Sequence, residues 1–197
     1  MTSPDIDAPA LSQRPKRADA LRNYEKLISA AREAFAEGGA SASLEDIARR
    51  AQVGIGTLYR HFPTRQDLLE AVYVDEVEAL CRSAGDLAGL PPWDALVAWL
   101  HRFVGYVATK QALAEELFKY TEKDADVFRA SRAAFYAAGE PLLERAQRAR
   151  VVRADTNFTD VVGMVGGIAK IPSADPEQIE RILDVALDGL RYQPPRA

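Results

Sequence analysis

Thr57, Arg60 and His61 stand within one short stretch, GIGTLYRHF (residues 54–62), with Tyr59 at its flank. At helical spacing, Ile55, Leu58 and Phe62 fall on one side of this stretch and Thr57, Arg60 and His61 on the other. The apolar side must pack on something, while the polar side offers hydrogen-bond donors to a partner. Arg can fork two hydrogen bonds to guanine or clamp a phosphate. Thr brings a hydroxyl for phosphate and a methyl for thymine, and Tyr and His donate to phosphate oxygens. Gly56 has no side chain, so the backbone at the start of this helix can approach an anion closely.

Two short helices must hold that stretch outward. Leu21, Tyr24, Ile28, Ala31 and Phe35 recur at helical spacing and predict a first helix that stops at Gly38-Gly39. Ser43 is an N-cap for a second, with Asp46 three residues on as a weaker form of the capping box. Its apolar face is Leu44, Ile47, Ala48 and Ala51. Gln52-Val53-Gly54 makes a tight break, and the opening stretch is the third helix. Three helices whose last member shows solvent a donor-rich face have the layout of a helix-turn-helix, whose second helix enters the major groove.

With those residues in view, the stretch SLEDIARRAQVGIGTLYRHFPTRQDLL (43–69), at the heart of residues 20–68, resembles the DNA-binding domain of the TetR family of transcriptional regulators. The resemblance covers about a quarter of the chain. It implies DNA contacts from Ser43 and Glu45 at the start of the second helix, and from Ile55, Gly56, Thr57, Tyr59, Arg60 and His61 on the third. Arg65 matches the family's basic position opening the fourth helix, where a phosphate is bound. Gly54 and Ile55 replace the family's common Ser-Lys, so the third helix loses a side-chain cap and a charge. Gln52 occupies a turn position that is often Gly, where a left-handed backbone would cost about 1 kcal/mol. Glu45 would repel phosphate unless it accepts from a cytosine amine.

The rest of the chain is predicted to be helical, for an all-α fold of about nine helices. Thr64 caps a long fourth helix, with Asp67 three residues later. Pro-rich residues 89–94 form a loop, and a fifth helix follows through Val107. A sixth is expected at about 111–121, a seventh at 124–148 and an eighth at 159–171. Asp175-Pro176-Glu177 opens a ninth. The expected organisation is a disordered tail (1–18), a helix-turn-helix domain (19–65) and a larger helical ligand-binding and dimerisation domain (66–197). Within the tail, Arg14 to Arg17 (RPKR) is a candidate arm for a phosphate backbone, the plainer alternative being a solvated tail.

Composition excludes more than it identifies. Residues 1–65 carry 10 Lys and Arg against 8 Asp and Glu, and the remainder 15 against 21, so the basic excess is small and sits at the DNA-binding end. No apolar run is long enough for a membrane span, and the N-terminus lacks a signal-peptide pattern. With Cys81 alone, no internal disulfide can form. A cytoplasmic protein is expected. His61 and His101 have no ligand-spaced partners, so no metal is expected, and no cofactor.

Nine of the sixteen aromatic residues lie between Trp93 and Tyr136. The family resemblance implies a small-molecule cavity among the middle helices. Trp99, Phe103, Tyr106, Phe118, Tyr120, Phe135 and Tyr136 are its candidate lining, against the plainer alternative of ordinary core. The resemblance also implies a homodimer through the last two helices, a palindromic DNA operator and release by an unidentified effector. Two alternatives remain at this point: the same DNA-binding fold without a switch, and a helical-bundle enzyme. For the enzyme, the chain offers no nucleophile–base pair, no His-Glu metal motif and no nucleotide loop.

Overall fold

Side-chain caps set several of the helix starts. Ser43 is extended (φ −86°, ψ 145°), and its Oγ accepts from the Asp46 N–H at 3.0 Å. Thr64 and Asp67 cap reciprocally: Asp67 N–H donates to Thr64 Oγ1 at 3.1 Å, and Thr64 N–H donates to Asp67 Oδ2 at 2.9 Å. Asn157 accepts from Asp160 N–H at 2.9 Å and Asp175 from Gln178 N–H at 2.7 Å, the latter with Pro176 at the first helical position. Each cap satisfies a backbone donor that the helix itself cannot.

The computed structural model describes residues 14–15, 17–38, 42–117, 120, 125–172 and 174–191. Eight helices occur among them: α1 (Ala18–Gly38), α2 (Leu44–Arg50), α3 (Ile55–His61), α4 (Arg65–Asp86), α5 (Pro92–Leu117), α6 (Asp126–Arg148), α7 (Phe158–Ile168) and α8 (Pro176–Asp188). The described residues include no strand, only an isolated antiparallel bridge between Val152 and Arg191. The expected fifth and sixth helices are one continuous helix, α5. Between Val107 and Gln111 the chain carries Ala, Thr and Lys, with neither Gly nor Pro to stop the ladder. Of the expected tail, only Arg14, Pro15, Arg17 and Ala18 fall among the described residues.

The chain divides into two compact units. The first joins Met1–Glu78 with Thr109–Ser131, and the second joins Ala79–Ala108 with Arg132–Ala197. In the first, α1 packs on α2 and α2 on α3. Leu27, Ala31, Ile47, Leu58, Leu68 and Val72 are inaccessible to solvent, so the apolar faces of four helices meet in one core. Tyr73 of α4 meets Phe128 edge-on at 5.2 Å.

In the second unit, α7 packs on α8, and Trp99, Leu96, Leu100, Val165 and Leu183 are fully buried. The Trp99 indole N–H donates to the Leu80 carbonyl at 3.2 Å, which satisfies its one polar atom. Arg145 of α6 holds the α4–α5 connection through the carbonyls of Ala88 (2.7 Å) and Leu90 (3.0 Å).

The break between α2 and α3 is a Schellman turn. Val53 N–H donates to Ala48 O at 3.0 Å and Gln52 N–H to Arg49 O at 3.1 Å, with Gln52 left-handed at φ 55°. The α6 terminus repeats the device with Arg150 at φ 56°, where Val151 N–H reaches Ala146 O at 3.1 Å. Both positions carry a non-glycine residue in a region that costs about 1–2 kcal/mol for an L side chain.

Candidate nucleic-acid interface

The turn through Gln52 re-aims the chain so that α3 leaves α2 with Leu58 inward. Leu58 is 0% exposed and Phe62 3%, the two anchors that seat α3 on the bundle. On the other face, Tyr59 is 45% exposed; Ile55, which helical spacing puts beside Leu58 and Phe62, is not packed with them but 39% exposed at the first turn of α3. Arg60 is exposed as well.

Gly54 caps α3 with its backbone only, as the missing serine implies. At Gly56, an added Cβ would meet no heavy atom within 4 Å, so this side of the helix is open. In the free protein Arg60 lies back along its own helix: Nη2 donates to Thr57 Oγ1 at 2.7 Å and Nε to the Gly56 carbonyl at 3.2 Å. Thr57, half-buried, thereby holds the guanidinium over the first turn of α3.

His61 is placed differently from the fully outward position that the helical wheel implies. It is half-buried, with its ring 6.3 Å from that of Tyr24 on α1 and 6.1 Å from Phe62. Burial, and then the neighbouring Arg60 charge, hold its pKa below the usual histidine value. His61 is therefore neutral at pH 7, and Arg60 carries the positive charge of this face. Tyr24 reads as a plain core residue in the sequence, and its place under His61 comes only from packing α1 against α3.

Ser43 and Glu45 are exposed at the start of α2. The Ser43 oxygen is taken as an acceptor by the cap, which leaves its hydroxyl hydrogen to donate outward. Arg65 is half-buried. Its Nη1 donates to the Ala42 carbonyl, and its guanidinium lies 5.1 Å from the centre of the Phe35 ring. It staples the α1–α2 connection, and so the Ser43 cap, to the start of α4.

The aromatic candidates of the second unit converge. Trp99 stacks on Phe103 at 6.1 Å, Phe103 meets Phe135 at 4.9 Å, and Phe103 stacks on Tyr106 at 6.1 Å. Tyr136 meets Phe135 edge-on at 5.7 Å. Phe158, absent from the sequence candidates, joins Trp99, Phe135 and Tyr136 at 5.4–5.8 Å. Its signal was Asn157: a cap there places Phe158 at the first, inward-facing turn of α7. Tyr120 is 47% exposed and belongs to the first unit, and Phe118 lies outside the described residues.

A three-helix unit that buries Leu58 and Phe62 and presents Tyr59 and Arg60 defines a helix-turn-helix DNA-binding protein. The family comparisons agree along most of the chain. Residues 27–72 match the model for bacterial regulatory proteins of the tetR family, and residues 91–192 match that for the C-terminal domain of SbtR-like transcriptional regulators. The chain belongs to the TetR family of transcriptional regulators, which bind DNA and are not enzymes.

A TetR transcriptional regulator from Streptomyces coelicolor is 42% identical in sequence and superposes with a TM-score of 0.77, over 87% of this chain and 99% of that one. One from Mycobacterium vanbaalenii is 36% identical with a TM-score of 0.75, over 90% and 100%. The HTH-type transcriptional regulator UidR of Escherichia coli is 31% identical over 94 residues, 47% of this chain. The matched stretch spans about half the length of that curated relative, 48%.

Among the described residues no helix is long and apolar enough to cross a membrane, and no cluster of three or more His, Cys, Asp or Glu could hold a metal.

Proposed function

We propose that the protein is a ligand-responsive repressor that binds a palindromic operator as a homodimer and is released by a small-molecule effector in the cytoplasm. The observation that carries this reading is the outward face of α3. Tyr59 and Arg60 are exposed there, Gly56 leaves the backbone open, and Leu58 and Phe62 fix the helix from behind. In this reading Ser43, Glu45, Ile55, Gly56, Thr57, Tyr59, Arg60, His61 and Arg65 form the DNA surface, with Arg60 as the base or phosphate reader.

The last two helices supply the dimer contact. Gly163, Gly166 and Gly167 on α7 have no heavy atom within 4 Å of an added Cβ, and Val185 on α8 is 76% exposed. Small residues beside an uncovered apolar one suit close approach of a second copy in a four-helix arrangement. Two recognition helices about 34–36 Å apart then read successive major grooves of one duplex. The effector binds among the aromatic side chains of the second unit and favours a conformer in which that spacing is lost, so DNA-bound protein becomes rarer.

The reading is tested by Arg60→Ala on a duplex selected by the pure protein from random DNA. Binding should weaken by about 1–3 kcal/mol with relaxed preference at one base pair if Arg60 reads a base. A uniform loss with a shallower salt dependence means phosphate contact instead. Unchanged binding means α3 is not the reader. Thermal shift against metabolites, read beside DNA release, tests the switch.

A further inference from the structure

Away from the recognition face, a dense charged contact ties three segments of the first unit together. Arg14, just ahead of α1, places Nη2 2.7 Å from Asp75 Oδ1 and 2.8 Å from Glu78 Oε2. Arg32 of α1 places Nη2 2.8 Å from the other Asp75 oxygen, and its Nε meets the Glu76 carboxylate. Asp75 is thus shared, one oxygen to each guanidinium. The carboxylates are well withdrawn from water, with side-chain exposures of 15%, 15% and 12% for Asp75, Glu76 and Glu78. The Arg14 and Arg32 side chains are 32% and 37% exposed, so the pairs are part-buried, and removing one guanidinium leaves withdrawn carboxylates short of a partner.

The contact reaches toward α3. Arg14 and Asp75 border a groove of about 80 Å³ that is also lined by Tyr24 and Ile28 of α1. Tyr24 is the residue against which His61 rests, 6.3 Å between ring centres. A change in how α1 lies on α4 is therefore felt under the recognition helix.

We propose that Arg14 is a positioning residue for DNA recognition: it clamps α1 to α4 through Asp75 and Glu78 and so sets the pose of α3, without touching DNA. This rests on the reading of α3 as the DNA reader. It also reverses the sign of a simpler idea, in which the basic segment before α1 is an arm gripping phosphate. Here the charge of Arg14 is spent inside the protein. Arg32 secures Asp75 and Glu76; Arg14 adds Glu78, one turn further along the same face of α4.

Charge exchange in the full-length protein distinguishes the two, using the selected duplex and fluorescence anisotropy. Arg14→Glu should weaken binding about tenfold, and Glu78→Arg should also weaken it several-fold despite adding positive charge. The two together should recover to within about threefold of the native chain. Arg14→Lys should retain most of the affinity. Arg14→Gln should lower affinity with no change in the slope of log Kd against log salt, since no phosphate contact is lost. Melting curves confirm that each variant is folded. If Glu78→Arg tightens binding and the two effects merely add, Arg14 acts on DNA and the clamp is overturned. Unchanged affinity in Arg14→Gln overturns it too. Arg60→Ala on the same duplex separates the failures: if it also binds like the native chain, the reading of α3 falls and the clamp with it.

Discussion

At Gly56 the requirements of folding and of DNA binding come apart on one atom. An added Cβ meets nothing in the free protein, so Gly56→Ala should raise stability by about 0.5 kcal/mol through helix propensity. In the proposed DNA complex the same methyl would stand where the DNA backbone approaches, so binding should fall. Thermal melting and a binding titration on one sample check both halves. His61 offers a second residue-scale test. Its pKa is lowered in the fold by burial and by Arg60, so the unfolded chain binds the proton more readily. Its contribution to stability is complete above the ordinary value of about 6.5 and is lost as pH falls through that value toward the lowered one. A nearby phosphate would favour the protonated ring, so DNA affinity should rise as pH falls toward the lowered value. His61→Gln should flatten both profiles.

At the scale of elements, α6 leaves no room for a side chain at Gly139. A Cβ at Gly139 would lie 2.3 Å from Phe158 and 2.5 Å from Trp99, both rings in the buried aromatic cluster. Gly139→Ala should cost about 1–3 kcal/mol of stability by overpacking, read as a lower denaturant midpoint. Its helix propensity alone predicts the opposite sign, so the experiment separates packing from propensity. The element starts were legible in the sequence because caps are local: Ser43, Thr64 and Asp175 each bond to a backbone N–H or a side chain three residues away. Where no local signal stops a helix, as between Val107 and Gln111, the sequence suggested two helices and the chain runs as one.

For the whole molecule, the proposed dimer makes a direct claim about α8. Val185→Arg replaces an apolar side chain that is 76% exposed and leaves the core of its own chain untouched. Sedimentation should show a shift from dimer to monomer, and the selected duplex should lose affinity by the bonus of joining two half-sites, on the order of a hundredfold. If the protein stays dimeric with native affinity, its copies meet elsewhere. The clamp at Arg14 belongs to this scale as well, because it joins residues more than sixty positions apart.

The sequence by itself determined the capped helix starts, the turn at Gln52 and the donor-rich order of GTLYRHF, since each depends on contacts within a few residues. Leu58 and Phe62 were assignable to the core for the same reason: one helical turn separates the two faces. Tertiary structure decided what happens between elements. It drew His61 partly inward against Tyr24, turned Arg65 onto Ala42 and Phe35, brought Phe158 among the aromatic rings and seated Arg14 on α4. None of those outcomes is periodic along the chain. Each follows from which helix faces meet, and an isolated charge or ring in a sequence does not say whether its partner will be water, protein or DNA.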